Sequence, residues 1–292
     1  MAVLAVQAPF SETFFQYCGA IAVRIETGNL KLPVLPMAIQ KIMEMNSNPE
    51  FDVQELSDLI HQDQTLAGHV LRVCNSSIYA GTYKINSLRQ AISRLGGHAM
   101  VKIAVSVTMQ GEIFQVVKFR DEIREIWRHA FASGLYAQEI AVLRKAPNPE
   151  MYMCGLLHQV GKPLLLQTLV SLAREMGGKL NEQEVAEIFS RYHTRVGTML
   201  STTWKLPATI VEACRLYQKP ATTEKQTTQE ETTTAVYTTY LASRLADALM
   251  HEKEAPQLES AVLEQLGLTA EHLKLLHAQE DEIKAMMGAI AV

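Results

Sequence analysis

Cysteine, glycine and proline are scarce in this chain of 292 residues, and it has no surplus of positive charge. The four cysteines, Cys18, Cys74, Cys154 and Cys214, stand at least 56 residues apart. That spacing excludes a CxxC redox pair and a zinc knuckle, and it predicts reduced thiols buried in a core. Lys plus Arg is 27 against 31 for Asp plus Glu, a net charge of −4. A dedicated nucleic-acid binder carries a basic surplus, so no direct nucleic-acid partner is expected. Long apolar runs are missing too. The span Pro163–Ala173 stays uncharged for 11 residues, about half of what a bilayer crossing needs, so no membrane association is expected. No basic residue precedes Arg24, which argues against a secretory leader and points to a soluble, cytoplasmic protein. With 48% apolar and 20% charged residues, the composition is that of an ordinary globular chain with a large core, and intrinsic disorder is excluded.

Few glycines and prolines favour long uninterrupted helices, and helical spacing recurs along the chain. Phe10, Phe14, Cys18, Ile21 and Ile25 share one face and predict a helix over about 10–26. LysLeuProValLeuPro (31–36) follows as an extended stretch, because a residue before proline avoids the helical region. Ile39, Ile42 and Met43 mark a short helix that Asn48 and Pro49 stop. Asp52 with Glu55, and Ser87 with Gln90, have the spacing of capping boxes. The stripes behind them are Leu56, Leu59 and Ile60, then Leu66, Val70 and Val73, then Leu88, Ala91, Ile92 and Leu95. ValLysIleAlaValSerVal (101–107) is rich in β-branched residues, yet its flanks favour a buried helix. Further helices are expected over about 121–143, 150–160 and 182–191, with 196–204 as the continuation or successor of the last, then after Pro207 and again from about residue 235. The Thr-rich run 218–234 reads as a solvated polar loop. The predicted fold class is all-α.

No HExxH, GxSxG or GxGxxG motif occurs. GlyLeuLeuHisGlnValGlyLys (155–162) has the outline of a P-loop, but five residues separate its glycines and Pro163 follows Lys162 where Ser or Thr is required. Three of the nine histidines, His129, His158 and His193, stand in helices among apolar neighbours. Neutral imidazoles from several helices can build a transition-metal site. Each taken singly reads more readily as a core histidine bonded to a backbone carbonyl.

The contexts of these histidines are TrpArgHisAla (127–130), GlyLeuLeuHisGlnValGlyLys (155–162) and TyrHisThrArgValGly (192–197), followed by TrpLysLeuProAlaThrIleValGluAla (204–213). Their order resembles the HD superfamily of metal-dependent phosphohydrolases. The first half carries LeuProValLeuPro (32–36), IleHisGlnAspGlnThrLeu (60–66), LeuArgValCysAsnSerSerIleTyr (71–79) and IleAsnSerLeuArgGlnAlaIleSerArgLeuGly (85–96). Together the motifs resemble the HDOD domain, the HD-related output domain of bacterial signalling proteins, over roughly residues 20–220.

That resemblance implies a multi-helical HD-like bundle with an additional N-terminal helical subdomain. The implied division is 1–115 for the N-terminal helical part, 116–217 for a degenerate HD-like bundle, 218–234 for the polar loop and 235–292 for the closing helices. Catalytic HD enzymes hold metal with a first His, a His-Asp doublet and a late Asp. The counterparts here are His129, then His158–Gln159 with the Asp replaced by Gln, then Ser243 by a looser alignment. The His-His pair of some families falls on Tyr217–Gln218. A water-activating metal needs anionic ligands and an open position, and Gln159 supplies no charge. The resemblance therefore implies vestigial metal candidates at His129, His158 and His193, no cofactor, and a non-catalytic signalling module that binds other signalling proteins or a copy of itself. Two alternatives stand beside it: a phosphohydrolase with a divalent transition metal at His129 and His158 and carboxylates such as Glu139 or Glu187, and a sensor that binds a nucleotide or cyclic dinucleotide without cleaving it. Candidate binding residues are Gln62, Asp63, Arg72, Asn75, Ser76, Gln159 and Lys162; the same Asp63, Asn75 and Ser76 also have the residue types of caps and turns.

Overall fold

The computed structural model describes residues 10–46, 48, 50–79, 81, 83–111, 113–114, 119–221, 229–251 and 260–290. Among them are fifteen α-helices and no strand. The N-terminal half holds α1 (Glu12–Glu26), α2 (Met37–Asn46), α3 (Val53–His61), α4 (Gln64–Cys74), α5 (Leu88–Leu95) and α6 (Gly97–Gln110). Then come α7 (Arg120–Leu143), α8 (Glu150–Leu157), α9 (Gly161–Met176), α10 (Glu182–Thr203), α11 (Ala208–Leu216) and α12 (Glu230–His251). The chain closes with α13 (Ser260–Leu266), α14 (Ala270–Ala278) and α15 (Glu280–Ile290). No helix among the described residues is long and apolar enough to cross a membrane.

The helices begin where the sequence supplies an acceptor for the free N–H groups of a first turn. Ser11 caps α1 through the Phe14 amide, Asp63 caps α4 through Thr65 and Leu66, and Asn181 forms a reciprocal capping box with Glu184 at α10. Two expected boxes are only half made. Asp52 takes the Gln54 amide while Glu55 stays exposed, so the cap closes one residue early. Ser87 takes the Gln90 amide, but the Gln90 side chain accepts from Asn86 instead of Ser87. The ambiguous 101–107 segment lies inside α6, whose residues from Met100 to Val107 are nearly all buried. Of the two readings of 196–204, continuation of the preceding helix is the one observed, since α10 runs unbroken from Glu182 to Thr203. Of the predicted stop at Asn48–Pro49, Pro49 lies outside the described residues.

The Thr-rich run is corrected at its end. Residues 222–228 lie outside the described residues, but α12 already starts at Glu230, and Thr232 and Thr233 are buried in it. A threonine can satisfy its hydroxyl on a carbonyl one turn back, as Thr233 does on Gln229, so a polar run can enter a core as a helix. Composition alone hid this.

α7 is the central strut. α8, α12, α14 and α15 pack on it, while α10 packs on α9 and α11. α2 to α6 form a second cluster that meets α7 through α6. α1 leaves that cluster and packs on α9 and α10, where the Tyr17 hydroxyl donates to the Gly177 carbonyl at 2.7 Å and the Tyr192 hydroxyl to the Cys18 carbonyl at 3.2 Å. All four cysteines are free and buried, as their spacing suggested.

Candidate functional site: an imidazole cleft on the central helix

Two glycines let the site form. A Cβ on Gly155 of α8 would lie 2.4 Å from the Ser133 carbonyl oxygen of α7, and one on Gly161 of α9 would lie 2.1 Å from the His193 carbonyl oxygen of α10. Both contacts are with backbone, so only glycine permits these approaches. The glycines of the P-loop look-alike therefore serve helix packing. They bring His129 on α7, His158 at the end of α8 and His193 on α10 into one buried region.

Each imidazole has a defined neighbour. His158 Nδ1 donates to the Gly155 carbonyl at 2.6 Å, so its Nε2 is the lone-pair nitrogen. That Nε2 is fully buried and has no hydrogen-bond partner. Burial holds the His158 imidazole well below its ordinary pKa, and the nearby His129 adds to this. His193 Nδ1 donates to the Phe189 carbonyl at 2.5 Å, which makes Nε2 the acceptor for the Tyr217 hydroxyl at 2.7 Å. Burial pushes the His193 pKa down to about 4, and Lys162 reinforces the shift. The Tyr217 ring also meets His158 edge-on, with centroids 4.6 Å apart. Burial raises the Tyr217 phenol.

His129 Nε2 points at α12. It lies 3.0 Å from Asp247 Oδ1 and 3.2 Å from the Ser243 carbonyl oxygen. The alignment that put Ser243 in the late carboxylate's place is thus corrected by one helical turn: Ser243 offers a backbone oxygen, and Asp247 offers the carboxylate. Burial resists ionisation of Asp247, but the hydrogen bond and charge of His129, with Lys162 and Arg244, outweigh it and hold the carboxyl below its usual range. Lys162 Nζ donates to Gln159 Oε1 at 2.8 Å, and burial pushes the ammonium down to about 8 against the pull of Asp247. The doublet's Gln159 is therefore engaged as a neutral acceptor.

The donor set can be tested against the metal that the superfamily implies. One imidazole has an open lone pair, a second is bonded to the Asp247 carboxylate, and the third accepts from Tyr217. Among the described residues, no group of three or more His, Cys, Asp or Glu side chains could hold a metal ion. Glu139 accepts from Gln279 and Glu187 pairs with Arg191, so neither supplies the missing charge. A hydrolytic centre needs several fixed anionic or imidazole ligands, and this set does not fit one.

The other predicted residues lie elsewhere. Gln62 ends α3, Asp63 caps α4, and Arg72 is exposed on α4. Asn75 stitches its own loop: Nδ2 donates to the Leu71 and Ile85 carbonyls and Oδ1 accepts the Ile85 amide, all at 2.8 Å. The Ser76 hydroxyl is buried without a partner. α3 and α4 pack against α2, α5 and α6, whereas Gln159 and Lys162 stand among α7 to α12. The seven residues thus form two groups. Sequence reading missed Asp247 and the Tyr217–His193 bond; both link residues far apart in the chain, which local spacing does not register.

The motifs on this frame match the model of the HDOD domain over residues 32–220. The chain belongs to the HDOD domain family. An uncharacterized protein of Treponema pallidum is 25% identical over 198 residues, 64% of this chain. This HDOD chain spans only 37% of that relative's length. Among solved structures, an HDOD domain protein with unknown function from Geobacter sulfurreducens superposes with a TM-score of 0.65 at 18% identity, covering 96% of this chain and 97% of the other. A candidate phosphohydrolase from Shewanella amazonensis gives 0.65 at 19%, covering 96% and 98%. A candidate signal transduction protein from Marinobacter aquaeolei gives 0.68 at 21%, covering 96% and 67%. These likenesses establish the shared all-α fold.

Proposed function

We propose that this HDOD protein is a non-catalytic regulatory module of bacterial signal transduction that acts by binding signalling proteins. The observation that carries the reading is the side-chain pairing in the cleft. Gln159 accepts from Lys162, and the Asp247 carboxylate is paired with His129. The Lys162 ammonium and the neutral Gln159 amide bring no negative charge to the cleft, whereas metal-assisted phosphoester hydrolysis calls for anionic ligands. The test is turnover. With Mn²⁺ or Fe²⁺ supplied, the protein should cleave neither nucleotides nor cyclic dinucleotides above the rate of the buffer. Hydrolysis that disappears in both His129→Ala and His158→Ala would make it an enzyme.

A second reading, nucleotide sensing without hydrolysis, draws on the unpartnered His158 Nε2 beside a lysine ammonium. It predicts thermal stabilisation by a nucleotide or cyclic dinucleotide that grows with ligand concentration over Kd. A melting temperature unchanged by saturating nucleotide counts against it.

A further inference from the structure

The last two helices are tied to one another more firmly than to the bundle. α14 starts on its own cap: the Thr269 hydroxyl accepts the His272 amide, and the His272 ring accepts the Thr269 amide. Lys274 pairs with Glu271 inside α14, and His277 Nδ1 meets Glu280 Oε1 at 2.7 Å across the corner into α15. To the rest of the chain the pair makes one side-chain hydrogen bond among the described residues. In it, Gln279 Nε2 donates to Glu139 Oε2 of α7 at 3.2 Å. Apolar anchorage is as thin. Between Ala270 and Ile290 only Leu276, Ile283, Met287 and Ile290 are buried, whereas α12 buries most of its residues.

α15 spans the junction of the two helical clusters, since it packs on both α6 and α7. Its seat is not filled. A cavity of about 220 Å³ lies there, lined by Ile103 of α6, Leu135 of α7 and Met286 of α15. Walls that face a void lose part of their dispersion contacts, so this seat holds less tightly than a packed core. Lys102 lines the same cavity. Its ammonium donates to Gln138 and stands 5.4 Å from the centre of the Tyr152 ring. Burial pushes this ammonium down against the pull of Glu139, so the closed arrangement keeps a cation partly out of water. The chain that enters the pair has a pivot. Arg144 Nε donates to the Leu266 carbonyl at 2.9 Å and fixes the end of α13 to α7. Gly267 follows at φ +63°, with open space where a Cβ would stand.

We propose that α14 and α15 form a strap that releases as one unit about Gly267 while α1 to α13 stay folded, and that its release uncovers the groove between α6 and α7. An element with few buried anchors opens at less cost than the core it lies on. The strap is capped and tied within itself, seated over a void, and hinged on a glycine beyond a fixed helix. Because α15 touches both clusters, closure braces α6 against α7, and opening removes that brace and hydrates Lys102. The device is independent of whether the imidazole cleft is catalytic.

Native-state hydrogen exchange of the full chain in low urea, read peptide by peptide, tests the strap. Amides over 270–290 should be protected at least about a hundredfold less than the most protected amides of α7 and α12. Their exchange should also depend less steeply on urea, because a partial opening exposes less surface. Two variants separate this opening from unfolding of the whole chain. Met287→Ala removes an anchor of the strap and should speed exchange over 270–290 about tenfold or more. Ile188→Val weakens the core at α10, which packs on α1, α9 and α11. It should speed the slowest amides of α7 and α12 about twofold to tenfold and leave 270–290 unchanged. Equal acceleration of 270–290 by Ile188→Val would mean that the pair opens only with the whole protein, and the proposal falls. It falls as well if Met287→Ala leaves 270–290 unchanged, or if α15 exchanges alone while α14 stays as protected as α7, which is fraying of an end.

Discussion

The Asp63–Asn75 region and the imidazole cleft are both polar, and both were candidate sites, but they differ in where their hydrogen bonds go. Asp63 and Asn75 bond only to backbone within about ten residues of themselves: one starts a helix, the other closes a loop. The cleft bonds side chain to side chain across α7, α10, α11 and α12, and leaves His158 Nε2 unmatched. Local satisfaction is the signature of scaffolding. Long-range pairing of side chains sets the cleft apart, while a buried polar atom without a partner occurs in both regions, His158 Nε2 in one and Ser76 Oγ in the other.

Substitutions should separate the two regions, most strongly at Gly161. Gly161→Ala forces a Cβ against backbone of α10, and the cleft should fail to close, with a stability loss of about 4 kcal/mol or more in urea unfolding. A near-neutral result would show that α9 and α10 can slide apart without cost.

The second effect is one of pH. The folded His193 pKa, at about 4, lies below the ordinary value of 6.5, so between those values the unfolded chain takes up a proton that the folded chain refuses. The full stability is present above pH 6.5 and declines as pH falls to 4, by about 3 kcal/mol, with His158 adding in the same direction. Urea midpoints from pH 7 to 4 should show this decline, and His193→Gln should flatten it. An unchanged slope in His193→Gln would mean that the imidazole titrates freely.

Asn75→Ala removes three bonds at once and should cost about 2 kcal/mol with no effect on any ligand of the cleft. A loss of ligand binding with stability retained would return the 60–77 region to the list of sites. Asp247→Asn has the smallest effect. Its carboxylate is 44% exposed, so solvent screens the pair with His129 and the expected loss is about 1 kcal/mol or less in the same unfolding assay.

Much of the fold was legible because it is written locally. The apolar stripes around Phe14, Leu56, Val70 and Leu88 gave the helices, and Asp63 announced its own cap. The three histidines were legible as a group through their motifs. Asp247 was not, because its link to His129 spans more than a hundred residues and the Thr-rich stretch blurs the alignment between them. Thr232 and Thr233 were misread for a related reason: whether a threonine faces water depends on what packs against it, and α12 packs against α7. The glycines at 155 and 161 suggested phosphate by their spacing, while their role is visible only once the opposing backbones of α7 and α10 are in place.

We propose that the imidazole cleft holds no working cation. The decisive measurement is elemental analysis of the protein purified without chelator, followed by calorimetric titration with Mn²⁺ and Zn²⁺. The prediction is substoichiometric metal and no saturable binding that His129→Ala removes. One tightly held ion per chain, lost in His129→Ala and in Asp247→Asn, would contradict it.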